Sequence, residues 1–245
     1  MLSMQMSEPG VRLLYEAARE LGLELGPVLP SFQLLYRRLL EANRATNLTA
    51  IRDEKGIILK HFVDSLSCLK GDGLEGSLRA IDVGTGAGFP GLPIKIVRPA
   101  LHLTFLDATQ KKIAFVEAVC QELGLAPVRC IWGRAEELGQ HPDHREAYDR
   151  VLSRAVGSLS VLSELCLPLL KPGGVMIAQK GPGVEAELEH AQAAIGLLGG
   201  RVREVITFEL PALREHRSLV IIEKVGPTPS KYPRRPGLVQ KNPLS

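Results

Sequence analysis

Cysteine is scarce in this chain. There are four in 245 residues (Cys68, Cys120, Cys130, Cys166), none in a CxxC pair and none beside histidines at metal spacing. That pattern excludes a zinc module and a disulfide framework, so no metal is expected and a reducing compartment, the cytoplasm, fits best. No window approaches the roughly 18 apolar residues needed to cross a bilayer. The start of the chain also lacks a basic stretch followed by an apolar one, so neither a membrane span nor a signal peptide is expected. Acidic residues run out near the end: from Val225 onward there are four bases and no acid. Residues 1–80 balance at ten of each sign, whereas 201–245 carry nine bases against four acids, although the whole chain is only +3. An excess confined to one end suits a polyanionic partner near the tail. Nothing in the chain points to a protein partner.

Hydrophobic residues make up 45% of the chain, enough for a full core. Up to about residue 70 the apolar residues recur at helical spacing, as in Leu13, Leu14, Ala17, Ala18 and Leu21, and again in Phe32, Leu35, Tyr36, Leu39 and Leu40. A third helical piece is expected near residues 61–69, and Gly71, Gly73 and Gly76 then mark a boundary. After Arg79 short runs rich in branched residues alternate with helical segments. The expected strands are 80–83, 101–106, 128–132, 150–152, 174–179, 202–210 and 219–225, with helices near 90–98, 109–124, 158–170 and 184–198. Such alternation predicts an α/β fold with a parallel sheet and right-handed crossovers. The last two runs are too close for a crossover helix and should pair antiparallel. Seven strands, mostly parallel, with a terminal antiparallel hairpin is the strand set of the class I (Rossmann-like) methyltransferase fold. The organisation expected is an N-terminal helical cap (1–75), a nucleoside-binding domain (76–226) and a basic tail (227–245).

The strongest local signal is Ala80-Ile-Asp-Val-Gly-Thr-Gly-Ala-Gly-Phe-Pro-Gly91. A strand runs straight into Gly84, Gly86 and Gly88, which permit positive φ and leave no Cβ between backbone and ligand. A helix start just beyond is expected to offer free N–H donors to an anionic group. The GxGxxG match inside this stretch also occurs in dinucleotide sites. Asp107, at the end of the second strand, suits both hydroxyls of a ribose, whether in NAD or in S-adenosylmethionine. Asp82, two residues before Gly84, is placed to accept from backbone and from an amino-acid ammonium, which together with the hairpin favours S-adenosylmethionine. Ala135 and Glu136, after the third strand, are candidates for reading an adenine edge.

Eight blocks then occur in order: Asn47-Leu-Thr-Ala-Ile51, His61-Phe-Val-Asp-Ser-Leu66, Asp82-Val-Gly-Thr-Gly-Ala-Gly-Phe-Pro-Gly91, Gly133-Arg-Ala-Glu136, Asp149-Arg-Val-Leu-Ser-Arg-Ala155, Leu170-Lys-Pro-Gly-Gly174, Gln179-Lys-Gly181 and Lys231-Tyr-Pro-Arg-Arg-Pro-Gly237. Together they closely resemble the bacterial RsmG family, also called GidB, over roughly residues 30 to 244. The resemblance implies methylation of guanine N7 in 16S ribosomal RNA, free or in the small subunit, with S-adenosylmethionine as cofactor. It also implies that Gly84, Phe89, Asp107, Ala108, Thr109, Ala135 and Glu136 contact the cofactor, and that Arg154 lies where donor and base meet. One departure is Val239, where the family usually has proline.

Guanine N7 carries a lone pair and no proton, so its methylation needs no general base. Arg154 then suits the guanine O6 or a phosphate, and Arg134 and Lys180 are candidates for the same work. His61 reads as a satisfied helix histidine. In the tail, Tyr232 among Lys231, Arg234, Arg235 and Lys241 predicts an RNA contact with a stacking ring between phosphate-seeking cations. Two other readings stay open: an NAD-linked dehydrogenase, and a non-catalytic ribosome-binding protein on a methyltransferase scaffold.

Overall fold

A computed structural model describes residues 4–71, 73–154 and 156–244. Helix α1 (Glu8–Glu20) starts at Ser7, whose hydroxyl accepts the Gly10 N–H at 3.1 Å, an ordinary N-cap. Helix α2 (Leu29–Thr46) buries Phe32, Leu35, Tyr36 and Leu39 and stops at Asn47, whose φ of 48° lies in the left-handed region. Beyond it α3 (Glu54–Gly56) runs through a π-helical stretch, Ile57–Val63, into α4 (Asp64–Leu66) and a 3-10 turn, Ser67–Gly71. This third helical piece is longer than expected. Ile57, Ile58 and Leu59 are all buried, so the stretch shows no 3.6-residue period for a sequence reading to catch.

The alternating region follows as β1 (Arg79–Val83), α5 (Gly91–Val97), β2 (His102–Asp107), α6 (Gln110–Glu122), β3 (Val128–Trp132), α7 (Ala135–Leu138), β4 (Tyr148–Arg154), α8 (Leu159–Cys166), β5 (Leu170–Lys180), α9 (Val184–Leu197), β6 (Gly200–Glu209), β7 (His216–Lys224) and α10 (Leu238–Lys241). The strands form one sheet in the order β3-β2-β1-β4-β5-β7-β6. The first five are parallel, and β7 runs antiparallel between β5 and β6. The hairpin thus closes one side of the sheet as expected, with its second strand inserted inward. The order reverses between β1 and β4, and ligands in such sheets bind at that reversal, outside the carboxyl ends of the strands.

Because side chains alternate across a strand, the sheet supplies two cores. Leu103, Phe105, Ile177 and Leu219 face α1, α2, the π-helical stretch, α5 and α6. Ile81, Val83, Val151, Met176 and Val220 face α8, α9 and two tail residues, Tyr232 and Val239. The N-terminal helices therefore share a continuous core with one sheet face. All four cysteine thiols are free. No helix among the described residues is long and apolar enough to cross a membrane.

Candidate active site

Two clefts open at the carboxyl ends of the strands. The first, about 150 Å³, is lined by residues that include Gly84, Asp107, Ala108, Arg134, Ala135, Glu136, Val156, Leu165 and Gln240. The second, about 400 Å³, is lined by Lys60, His61, Asp64, Arg154, Gln179, Lys180, Gly181 and Arg217.

Gly84 has φ of 71°, and a Cβ there would sit 2.5 Å from Val156, so only glycine fits. Gly86 has φ of 60° and open space where a side chain would be. Of the turn's own donors, only the Ala87 N–H has no partner among the described residues. Gly84 and Thr85 N–H donate to Leu106 O, Gly88 and Phe89 to Thr85 O, and Leu92 to Gly88 O. Gly86 N–H donates to Asp107 Oδ2 at 2.9 Å, and Gly91 N–H to Asp82 Oδ2 at 2.9 Å. The expectation of several free N–H groups for an anion is therefore corrected: Asp82, Asp107 and backbone carbonyls take those at the start of α5 and all in the turn but Ala87's.

Asp107 also accepts the Thr109 N–H on Oδ1 at 2.8 Å. Each of its oxygens thus carries one backbone bond and keeps one lone-pair site, so the carboxylate staples the glycine turn to the end of β2 while still facing the cleft. Asp82 is fully buried. Its Oδ2 accepts the Thr85 hydroxyl at 2.6 Å as well as Gly91, and its Oδ1 has no partner. Burial pushes its pKa up to about 6, against the pull of the Thr85 and Gly91 hydrogen bonds. Glu136 is 7% exposed and has no hydrogen-bond partner among the described residues. Ala108 and Thr109 hold the rim, where the Ala108 carbonyl accepts the Trp132 indole N–H at 3.1 Å.

Phe89 packs against His61 and Arg154, two residues of the second cleft. The Phe89 ring stacks on His61 at 4.5 Å, and the Arg154 guanidinium lies 5.5 Å from the Phe89 ring centre. Arg154, at the end of β4, donates to Asp64 Oδ2 and Lys60 O at 3.0 Å each. Asp64 Oδ1 accepts Arg217 at 2.9 Å and Gln179 at 3.0 Å. One buried carboxylate thus fixes two guanidinium groups at the mouth of the cleft. Sequence reasoning gave no role to Asp64, Gln179, Lys60 or Arg217. The visible clue was the charged triplet Glu215-His-Arg217 leading into the apolar strand β7. Lys180 lines this cleft too, with its ammonium donating to Glu187 and to Gly157 O at 2.8 Å each. Arg134 is exposed and lines the first cleft, whereas Arg154 lines the second. Ala155, the last residue of its sequence block, lies outside the described residues.

His61 lies 2.8 Å from the Thr49 hydroxyl through Nε2 and 3.5 Å from Arg154 through Nδ1. Arginine can only donate, so Nδ1 is the acceptor and the proton is assigned to Nε2. Burial, then the Arg154 charge, push its pKa down to about 3. The histidine is therefore neutral at pH 7, with its lone pair engaged. This cost to stability is absent above pH 6.5 and grows as pH falls toward 3, because only the unfolded chain takes up the proton. Asp82 works in the opposite sense below pH 6, so a comparison of variants is needed to isolate His61. The unfolding free energy of His61→Gln, measured by urea titration, should gain on the wild type by about 1.4 kcal/mol per pH unit between pH 6 and 4. A constant difference across that range would mean that His61 protonates freely in the fold.

The tail is not a solvated arm. Tyr232 is 7% exposed within the second core, and Arg234 makes a bidentate pair with Glu164, which is fully buried. The expectation that Tyr232 is a stacking platform and Arg234 a free cation is therefore corrected. Lys231, Arg235 and Lys241 do face solvent.

Comparison with known proteins settles the family. The model of the rRNA small subunit methyltransferase G family (GidB) matches residues 29–219. The chain belongs to that family. It is 50% identical over 239 residues to the ribosomal RNA small subunit methyltransferase G of Deinococcus deserti, covering 98% of each chain. To the protein of the same name from Pelotomaculum thermopropionicum it is 47% identical over 230 residues, covering 94% of this chain and 96% of that one. Among solved structures, a SAM-dependent methyltransferase from Aquifex aeolicus superposes with TM-score 0.52 at 21% identity, over 74% of this chain and 98% of that one. TrmN from Thermus thermophilus also gives 0.52, at 20% identity, over 69% of this chain and 53% of that one. These two likenesses speak for the fold, which is that of the class I methyltransferases.

Proposed function

We propose that this protein transfers a methyl group from S-adenosylmethionine to N7 of a guanine in 16S ribosomal RNA. The observation that carries this reading is the charge pattern around the glycine turn. All but one of its N–H groups, that of Ala87, are already bonded, while two buried carboxylates, Asp82 and Glu136, retain unpartnered oxygens. Such a site suits an adenosine ligand that bears an ammonium and no phosphate. A dinucleotide would need free N–H donors for its pyrophosphate, so the dehydrogenase reading is set aside.

Asp82, Gly84, Gly86, Gly88, Phe89, Asp107, Ala108, Thr109, Ala135 and Glu136 would hold the donor. S-adenosylmethionine supplies an electrophilic methyl carbon on a sulfonium. The protein's part is to orient the base and exclude water. Arg154 and Arg217, fixed by Asp64, present N–H groups for the guanine O6 or an adjacent phosphate, the geometry arginine uses with guanine. N7 has no proton to lose, and His61, neutral with its lone pair engaged, is not set up to take one. Catalysis then rests on in-line positioning and fixed donors. Calorimetry with S-adenosylhomocysteine and with NAD tests the donor site: binding of the first and not the second is expected, and the reverse would overturn the reading.

With Tyr232 and Arg234 committed to packing, three tail cations remain for RNA. Changing Lys231, Arg235 and Lys241 together to Gln should flatten the log–log salt dependence of RNA binding by at most about 2 to 3 units, at roughly 0.7 to 0.9 per phosphate contact. An unchanged slope would make the tail electrostatically passive.

A further inference from the structure

Charge alone does not explain why the tail is stapled so firmly. Arg145 donates to Tyr232 O at 2.8 Å and to Thr228 O at 2.7 Å, and Gln140 donates to Pro233 O at 2.9 Å. Arg234, besides gripping Glu164, donates to Asn242 O at 2.8 Å, so one buried ion pair also holds the end of α10. Val239 is fully buried in the second core. The next residue, Gln240, is exposed, lines the first cleft together with Asp107 and Glu136, and its side chain has no hydrogen-bond partner among the described residues.

We infer that Gln240 binds the base end of the methyl donor, and that the Arg234–Glu164 pair is the positioning element that brings it there. This rests on the donor-site reading above. A cavity of about 150 Å³ is the size that takes one aromatic ring. Val156, Leu165 and Ala135 give it apolar walls. A primary amide offers a donor and an acceptor side by side, which matches the amino group and adjacent ring nitrogen of adenine. Glu136 adds a second acceptor for the same amino group.

The test is calorimetry on the full chain with S-adenosylhomocysteine and with its purine counterpart, in which hydrogen replaces the 6-amino group. Gln240→Leu keeps the bulk and removes the amide. It should weaken S-adenosylhomocysteine binding about three- to tenfold, the worth of one neutral hydrogen bond, with an unchanged melting temperature. The wild type's preference for adenine over unsubstituted purine should shrink in this variant, a coupling that lost packing alone would not produce. Arg234→Ala should cause a comparable loss, and adding Gln240→Leu to it should cause little more; fully additive losses would contradict the positioning role. If Gln240→Leu binds both ligands within twofold of the wild type while Asp107→Ala loses affinity, the inference fails and the donor site stands. If the wild type binds no S-adenosylhomocysteine, the donor-site reading fails and this inference falls with it.

Discussion

Arg154→Ala is expected to lower kcat by about 10²- to 10³-fold, the usual cost of deleting one preorganised donor from a reacting pocket. Affinity for S-adenosylhomocysteine should stay within about twofold. The split follows from the geometry. Arg154 is anchored by Asp64 and the Lys60 carbonyl, whose residues line the second cleft, and it does not itself line the first. The fold should survive, because Asp64 keeps Arg217 and Gln179 as partners. Steady-state kinetics with 16S ribosomal RNA at saturating donor would measure the effect. Normal turnover combined with lost donor affinity would move Arg154 to the other ligand.

Asp107→Ala should do the opposite and weaken donor binding by about 3 kcal/mol, near 150-fold. That is the upper end for a charge-assisted hydrogen bond. The structure raises it there because the carboxylate has two tasks. It faces the cleft, and it also accepts the Gly86 and Thr109 N–H groups. Alanine therefore removes the ribose acceptor and frees the glycine turn from the end of β2. Asp107→Asn separates the two tasks: its amide oxygen can keep one of the backbone bonds while the negative charge is lost, so an intermediate affinity is expected. Calorimetric affinity of a folded Asp107→Ala protein equal to the wild type would remove this residue from the site.

Much of this was legible because the sheet's periodicity is strong. Residues 128–132 were bounded as the structure has them, and the terminal hairpin followed from the short spacing between its strands. Strand β5 began four residues early, at Leu170 rather than 174, because Leu170 pairs with Tyr148 across a register shift that a Lys-Pro-Gly-Gly sequence hides. Asp82, Gly84 and Asp107 stand out in the sequence because each lies at or just beside a strand end, and Glu136 because it opens the short helix after β3.

Residues whose partners are remote in sequence were not legible. Asp64 meets Arg154 and Arg217 across separations of 90 and 153 residues. The tail was misread because prolines and cations without acids look solvated. Its partner, Glu164, is the one acid in the otherwise apolar and small-residue helix α8, and a buried charge there demands a counterion. That clue was available. Lys95 shows the same limit in part: its buried ammonium donates to three carbonyls, those of Pro99 and Leu101 close by in sequence and that of Ala126, 31 residues on.

The most direct test of the whole account is nucleoside mass spectrometry of 16S ribosomal RNA incubated with the purified protein and isotopically labelled S-adenosylmethionine. Deproteinised RNA and assembled small subunits should be run side by side. The account predicts label in 7-methylguanosine, at one position per RNA molecule, abolished by Arg154→Ala on the time scale of wild-type completion. Label on another base, on a ribose hydroxyl, or on no nucleoside of either substrate would contradict it.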